Sequence, residues 1–243
     1  MPIYVLKDCR FYLGGYDLSG DHNEHKVNYS CNLVESTAFG ADTKRRTPGL
    51  RDISSSHSGF SEAGTGKVDE VLFDRIGAAE KVVSIYPTAL SSAAIGAIGF
   101  GYKALHAKLG HGAKVGDLWK FSVEVDGTGT FVRQTLMGWG TKATSATGTV
   151  TNLGAVSSSQ RVYAILHVTG KAGTAPTLTV AIESSDTQAF TVATTRLTFT
   201  QFTAIGAQLI SAAGPITDTW WRANWVLAGT DPRFAIVVGV GIQ

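Results

Sequence analysis

The sequence predicts a mainly β protein with one flanking helix, and three observations carry that prediction. Charged residues make up only 16% of the 243, against about 25% in an average globular domain. Glycine is abundant, at 28 residues, and Thr and Ser are frequent. Glycine marks turns and bulges, and threonine suits a half-buried pleated surface. Apolar residues alternate with polar ones at a period of two along much of the chain. A chain of this length can bury a sizeable core. So little charge further suggests that much of its surface meets protein rather than water.

The first elements are short strands at Ile3–Leu6 and Arg10–Leu13, followed by a Gly14-Gly15 turn. Residues 25–33 place Val27, Tyr29, Cys31 and Leu33 on one face at strand period. Residues 34–50 hold Phe39-Gly40, the charged cluster Asp42 to Arg46, and Pro48-Gly49. This is a turn-rich polar excursion, a loop or hairpin tip. Alternation resumes over 50–60 in a serine-rich strand. One helix is expected at about 66–77. Val68, Val71, Leu72 and Ile76 share a face at helical spacing. Asp69 and Glu70 suit its first turn, and Gly77 suits its stop.

Further strands are expected at Lys81–Tyr86 and at about 95–109. Trp119, Phe121, Val123 and Val125 share the next face. The turn-forming run Asp126-Gly127-Thr128-Gly129 then predicts a hairpin returning through Thr130 to Met137. Residues 138–147 are rich in Gly, Thr, Ala and Ser and read as a linker. Beyond it come alternating strands at 161–169, 178–183, 196–200, 221–227 and 234–242, the pattern of a second β-sandwich. The last strand's other side carries Ala235, Val237, Gly239 and Gly241, small enough for another layer to approach closely. Two domains are expected, 1–140 and 148–243. Charge supports the division: residues 1–140 hold 15 Lys/Arg and 15 Asp/Glu, whereas residues 141–243 hold 6 and 4.

The net charge of +2 is too small to argue for a nucleic-acid or membrane partner. Cys9 and Cys31 read as free thiols, since a disulfide scaffold of this size would use more cysteines. The N-terminus lacks the basic start and apolar run of a secretion signal, and no stretch has the apolar length of a membrane-spanning helix. Folding in a cytoplasm is expected.

Candidate chemistry is sparse. His22, Glu24 and His25 form the densest cluster of potential ligands, but their spacing is not that of a helical zinc site; a solvated loop is the better reading. Lys44, Arg45 and Arg46 suit an anion, an acidic surface on another subunit, or plain solvent. Trp139, Trp220 and Trp221 could stack a sugar, although strand-spaced tryptophans more often belong to a core. No nucleophile elbow, phosphate-cradling loop or dinucleotide fingerprint occurs. No enzyme activity, cofactor or metal is expected.

The run from Asp8 to Gly20, then Val27 to Leu33, then Thr37 to Asp52 closing on Gly59-Phe60, resembles the tail tube (major tail) proteins of long-tailed, non-contractile bacteriophages. The resemblance covers residues 1–140 best. It implies an N-terminal tail-tube-like β-sandwich or barrel with one helix, plus the C-terminal β-sandwich. It also implies a structural virion protein whose copies form a hexameric ring, or a trimeric pseudo-hexameric one. Such rings stack into a hollow tail tube, assembled in the host cytoplasm, that gives double-stranded DNA transient, non-specific passage and meets other tail proteins at its ends. No membrane insertion is implied. On this reading Phe39, Asp42, Lys44, Arg45, Arg46 and Pro48 form the contact between stacked rings. His25, Asn28, Ser30, Asn32, Ser54, Ser56 and Ser58 face a wetted lumen that must not be basic, since basic walls would hold DNA phosphates. The alternatives are another virion β protein, such as a capsid decoration or tail terminator, a carbohydrate-binding β-sandwich, or an unrecognised hydrolase.

Overall fold

The computed structural model describes residue 6, residues 8–91 and residues 94–243. It is mainly β. In chain order the strands are β1 (Arg10–Leu13), β2 (Tyr16–Asp17), β3 (His22–Glu35), β4 (Arg46–Phe60), β5 (Lys81–Tyr86), β6 (Ile98–Gly112), β7 (Lys120–Lys142), β8 (Ala146–Thr147), β9 (Thr151–Asn152), β10 (Arg161–Ser185), β11 (Thr194–Thr198), β12 (Gly206–Ala213) and β13 (Trp220–Ile242). One helix, α1 (Val68–Phe73), lies between β4 and β5. The strand expected at Ile3–Leu6 falls largely outside the described residues.

Two compact units can be distinguished, and neither is continuous in sequence. The first comprises residues 1–20, 81–103 and 132–243; the second comprises 21–80 and 104–131.

In the first unit, neighbouring strands run in the order β11-β10-β13-β7-β6-β5-β1-β2, with β12 beside β10 and with β8 and β9 beside β13. Its organising pair is β10 with β13, antiparallel from Val162↔Ile242 to Ser185↔Trp220. The strands expected at 161–169 and 178–183 are therefore one strand, and so are those at 221–227 and 234–242. The alternation was legible; the breaks between segments are not chain reversals. Register shifts between Val168 and Thr177 turn the pair through a corner. Positive φ at Gly173 (107°) and Gly229 (111°) lets the backbone make that bend. Both arms of the bent pair contribute to one core, with Leu166, Val168, Val180, Trp221, Phe234 and Val238 among its members.

On its other side β13 presents Gly239, where a Cβ would overlap the Gln134 side chain. The close approach anticipated from its small residues is thus made by Gln134 and Tyr86. Residues 138–142, within the segment expected as a linker, continue β7 and pair with β13 from Phe234↔Lys142 to Val238↔Gly138.

The second unit contains the antiparallel series β3-β4-β7, the 104–112 part of β6, and α1. The hairpin expected at Asp126-Gly127-Thr128-Gly129 is not formed: β7 runs on without reversing. Gly127 fits here because a Cβ would come within 2.5 Å of Ile53 Cβ. The same Gly-rich run that codes a tight turn also lets a strand pass a bulky neighbour.

The helix is shorter than the 66–77 expected. It buries Val68, Val71 and Leu72 and ends at Asp74, whose N–H bonds back to Glu70. Ile76 leaves the helix to form a parallel bridge with His106, and Gly77 takes a φ of 69° just beyond. At the other end, the Glu70 carboxylate accepts from the Gly66 N–H at 2.5 Å.

Candidate functional site

Three features of the second unit stand out once its strands are in register. The first is an extended arm. The pairing of β4 with β7 stops at Ser54↔Asp126. Beyond that point β3 and β4 pair only with each other, out to Glu35↔Arg46. The expected excursion at 34–50 is therefore the end of a hairpin, with residues 34–35 and 46–50 in its ladder and residues 36–45 as its tip. Both faces of this ribbon are exposed: Leu33 and Val34 to just over half, Leu50 to 87% and Phe39 fully. An isolated two-stranded ribbon is marginal in water, so exposed apolar groups along one are a costly surface to leave bare.

The tip is locally ordered. The Ser36 N–H bonds the Arg45 carbonyl at 2.9 Å, and the Arg45 N–H bonds Thr37 Oγ1 at 3.0 Å. Gly40 turns the chain with a φ of 82°. Lys44 pairs with Glu35 at 3.1 Å rather than with Asp42 or Asp52.

The second feature is a two-faced sheet. Directly paired residues share a face. On one face lie Asn28, Ser54 and Asp126 in one row, Lys26, Ser56 and Glu124 in the next, and Glu24, Ser58 and Ser122 in the third. Ser30 opposite Asp52, and Phe60 opposite Lys120, extend it. The face is polar, and its ionic groups nearly cancel: Glu24, Asp52, Glu124 and Asp126 oppose Lys26 and Lys120, with Lys108 bonded to Glu124 at 2.8 Å. Asn28, Ser30, Ser54, Ser56 and Ser58 thus share one face, as the alternation predicts. His25 does not. It pairs with His57 on the opposite face, being one residue out of phase. Asn32 sits at the register shift between Cys31 and Leu33. The outer edge of β3 pairs with no further strand among the described residues, which leaves a row of backbone donors and acceptors available.

The third feature is a histidine cluster on the covered face. His22 Nε2 lies 2.8 Å from His57 Nδ1. The His25 and His57 rings stack at 5.7 Å, and His106 meets His57 edge-on at 6.2 Å. Burial, reinforced by the His22 charge, holds His25 down at about 4. Burial, with Arg75 adding to it, holds His106 at about 4. His57 lies well below the usual imidazole range for the same reason, with His22, His25 and His106 all contributing. His22 and His25 are not a solvated loop. The cluster is not legible in the sequence because His57 and His106 lie 32 and more positions further along the chain than His25, and because histidine in a strand carries no periodic signature. Among the described residues, no group of three or more His, Cys, Asp or Glu side chains converges on a metal-sized site.

Trp139, Trp221 and Trp225 behave as structure, and Trp220 is half-buried where β13 pairs with β9. Trp221 is fully buried, and its indole N–H donates to the Gly154 carbonyl at 2.9 Å. Trp225 donates to the Thr144 carbonyl at 3.2 Å, beneath the Lys142 ammonium. Trp139 packs against the small core around Tyr86 and Val237. Both cysteines are free thiols. A Ser84–His167 contact of 2.9 Å in the first unit has the atoms of a nucleophile and base, but both residues are fully buried.

No protein-family model matches the chain, and no curated protein matches it. Among solved structures it is similar to the SPP1 tail tube, at 10% identity over 54% of this chain and 78% of that one, with a TM-score of 0.45. It is similar to a chain from the virion of a native gene transfer agent particle, at 12% identity over 54% and 98%, with a TM-score of 0.43. It is also similar to the SPP1 Dit protein, described as a paradigm of the hub adsorption apparatus in phages infecting Gram-positive bacteria, at 13% identity over 98% and 100%, with a TM-score of 0.39. Phage tail tube and hub proteins are therefore among its structural neighbours. With each of these TM-scores below 0.5, the functional reading rests on the geometry of the second unit.

Proposed function

We infer that this protein is a non-enzymatic structural component of a phage-type tail, and that its copies join into rings stacked as a tube around a channel for double-stranded DNA. The observation that carries the reading is the second unit's sheet. It has one buried face, one polar face left bare, and, among the described residues, an edge at β3 that pairs with no further strand. A monomer must protect such an edge. A ring satisfies it by symmetry, because the β3 edge of one copy meets a strand of the next and no edge remains. The polar face then lines the lumen. Its near balance of charge suits passage of DNA, since phosphates are neither held by a basic wall nor strongly repelled. The ring is hexameric or trimeric and pseudo-hexameric, with other tail proteins at the tube ends. The arm, with Phe39, Asp42, Lys44, Arg45, Arg46 and Pro48, reaches toward the adjacent ring. Of the three tryptophans weighed for sugar stacking, Trp221 is buried in the core of the first unit.

Negative-stain electron microscopy of the purified protein tests this. Open-ended tubes of constant diameter, or rings at lower concentration, are expected. A species that stays monomeric across the accessible concentration range refutes the proposal.

A further inference from the structure

Among the described residues nothing covers the apolar groups of the arm, and nothing fills a groove held by the second unit. The groove lies where α1 ends against β6, lined by Phe73, Ile76, Ala107, Lys108, Leu109 and His111. Phe73 is 72% exposed and Ile76 41%. A large aromatic ring standing free at a helix end, beside an exposed isoleucine, is an unusual surface for a protein that stays alone.

The two surfaces are complementary in charge as well as in polarity. Residues 29–53 of the arm carry Lys44, Arg45, Arg46 and Arg51 against Glu35, Asp42 and Asp52, a net +1. Residues 62–76, which carry α1 and one wall of the groove, hold Glu62, Asp69, Glu70 and Asp74 against Lys67 and Arg75, a net −2. Asp69 already reaches His111 in the groove at 3.6 Å, so acidic charge borders the apolar floor. The arm has the matching layout, with Phe39 at the tip and the basic run five residues later.

We propose that the arm of one copy docks in the α1–β6 groove of the next copy, with Phe39 seated beside Phe73 and Ile76, and with Lys44, Arg45 and Arg46 facing Asp69, Glu70 and Asp74. This rests on the reading of the arm as a contact between copies and goes further by naming the receiving site. The contact uses different surfaces on the two partners. It therefore does not close on itself in a pair but propagates from copy to copy. Opposite charges steer the encounter and weaken with salt.

The test is photo-cross-linking in the full-length protein. Phe39 is replaced by p-benzoylphenylalanine, assemblies are irradiated, and the cross-linked peptides are mapped. Intermolecular adducts within residues 68–80 or 104–112 are expected. Phe73→Glu, at an exposed position that leaves the core untouched, should reduce both adduct yield and the assembled fraction by about tenfold or more. The triple reversal Lys44→Glu, Arg45→Glu, Arg46→Glu should do the same. Adding Asp69→Lys, Glu70→Lys and Asp74→Lys to it should restore assembly. If the six-fold variant does not fold, mixing the two separately reversed triple variants, or the single Phe73→Ser change, serves the same purpose. Assemblies whose adducts lie elsewhere, or that are indifferent to Phe73→Glu, overturn the groove assignment and leave the assembly reading standing. A chain that never assembles overturns both.

Discussion

The histidine cluster makes the second unit sensitive to mild acid, and the size of the effect can be worked from its geometry. His57 is 2% exposed and His106 4%. His22 and His57 share a single proton across 2.8 Å, a bond that two imidazolium ions cannot make. In the folded protein His25 and His106 each titrate near 4, against about 6.5 in an unfolded chain. Between those values the unfolded state binds more protons, so stability rises with pH across the window. It is fully present above about pH 7 and is lost as pH falls through 6.5 toward 4. At pH 5 each of these two groups costs about 2 kcal/mol relative to pH 8, and the pair about 4 kcal/mol. That is a large share of the roughly 5–15 kcal/mol by which a domain is stable. For a chain of this length it lowers the melting temperature by on the order of 10 °C.

His57 acts in the same direction, and so does His167 in the first unit, which burial holds at about 3. Arg75 is the charge facing His106. Asp21, whose carboxyl is raised chiefly by burial, acts with the opposite sign; Asp218, whose carboxyl is lowered by its bonds to Ser184 and Arg196, acts only at lower pH. The assay is thermal unfolding from pH 8 to 5, with hydrogen exchange to localise the loss to β3, β4, the 104–112 part of β6 and α1. In a His25→Leu, His106→Leu variant the slope should fall to about half or less, the remainder belonging to His57 and His167. If the double variant folds poorly, His25→Gln alone should remove about a quarter of the slope. A melting temperature constant from pH 7.5 to 5, or an undiminished slope in the variants, refutes the reasoning.

Three other outcomes are expected. Gly59→Ala should destabilise the second unit by about 2–4 kcal/mol in a urea titration, because its Cβ would run into the Asp21 backbone carbonyl that anchors the Phe60 N–H at 2.8 Å. Trp221→Ala should cost about 3–5 kcal/mol, read as a lower urea midpoint with little change in slope, since it empties the first unit's core and orphans the Gly154 carbonyl. Reversing Lys44, Arg45 and Arg46 to Glu should block tube growth in electron micrographs while moving the melting temperature by no more than a degree or two, because all three side chains are exposed.

The local alternation of the chain determined the β class, the strands at β1 and β5, the apolar face of α1 and the polar face shared by Asn28, Ser30, Ser54, Ser56 and Ser58. These follow from period and propensity, which each residue carries wherever it lies. Which strands are continuous was decided elsewhere. Asp126 to Gly129 would suit a hairpin turn as well as a straight passage, and Ile53, more than 70 positions away, selects the passage by occupying the space above Gly127. The corner in β10 is fixed by β13, whose own bend at Gly229 must match it. The histidine cluster is likewise a product of strand pairing, which places His25 opposite His57. Residue type suggested that His25 belongs with its polar neighbours; the parity of the pleat puts it on the covered side. The division of the chain into interleaved units is tertiary for the same reason: pairing partners, not composition along the chain, decide which segments share a core.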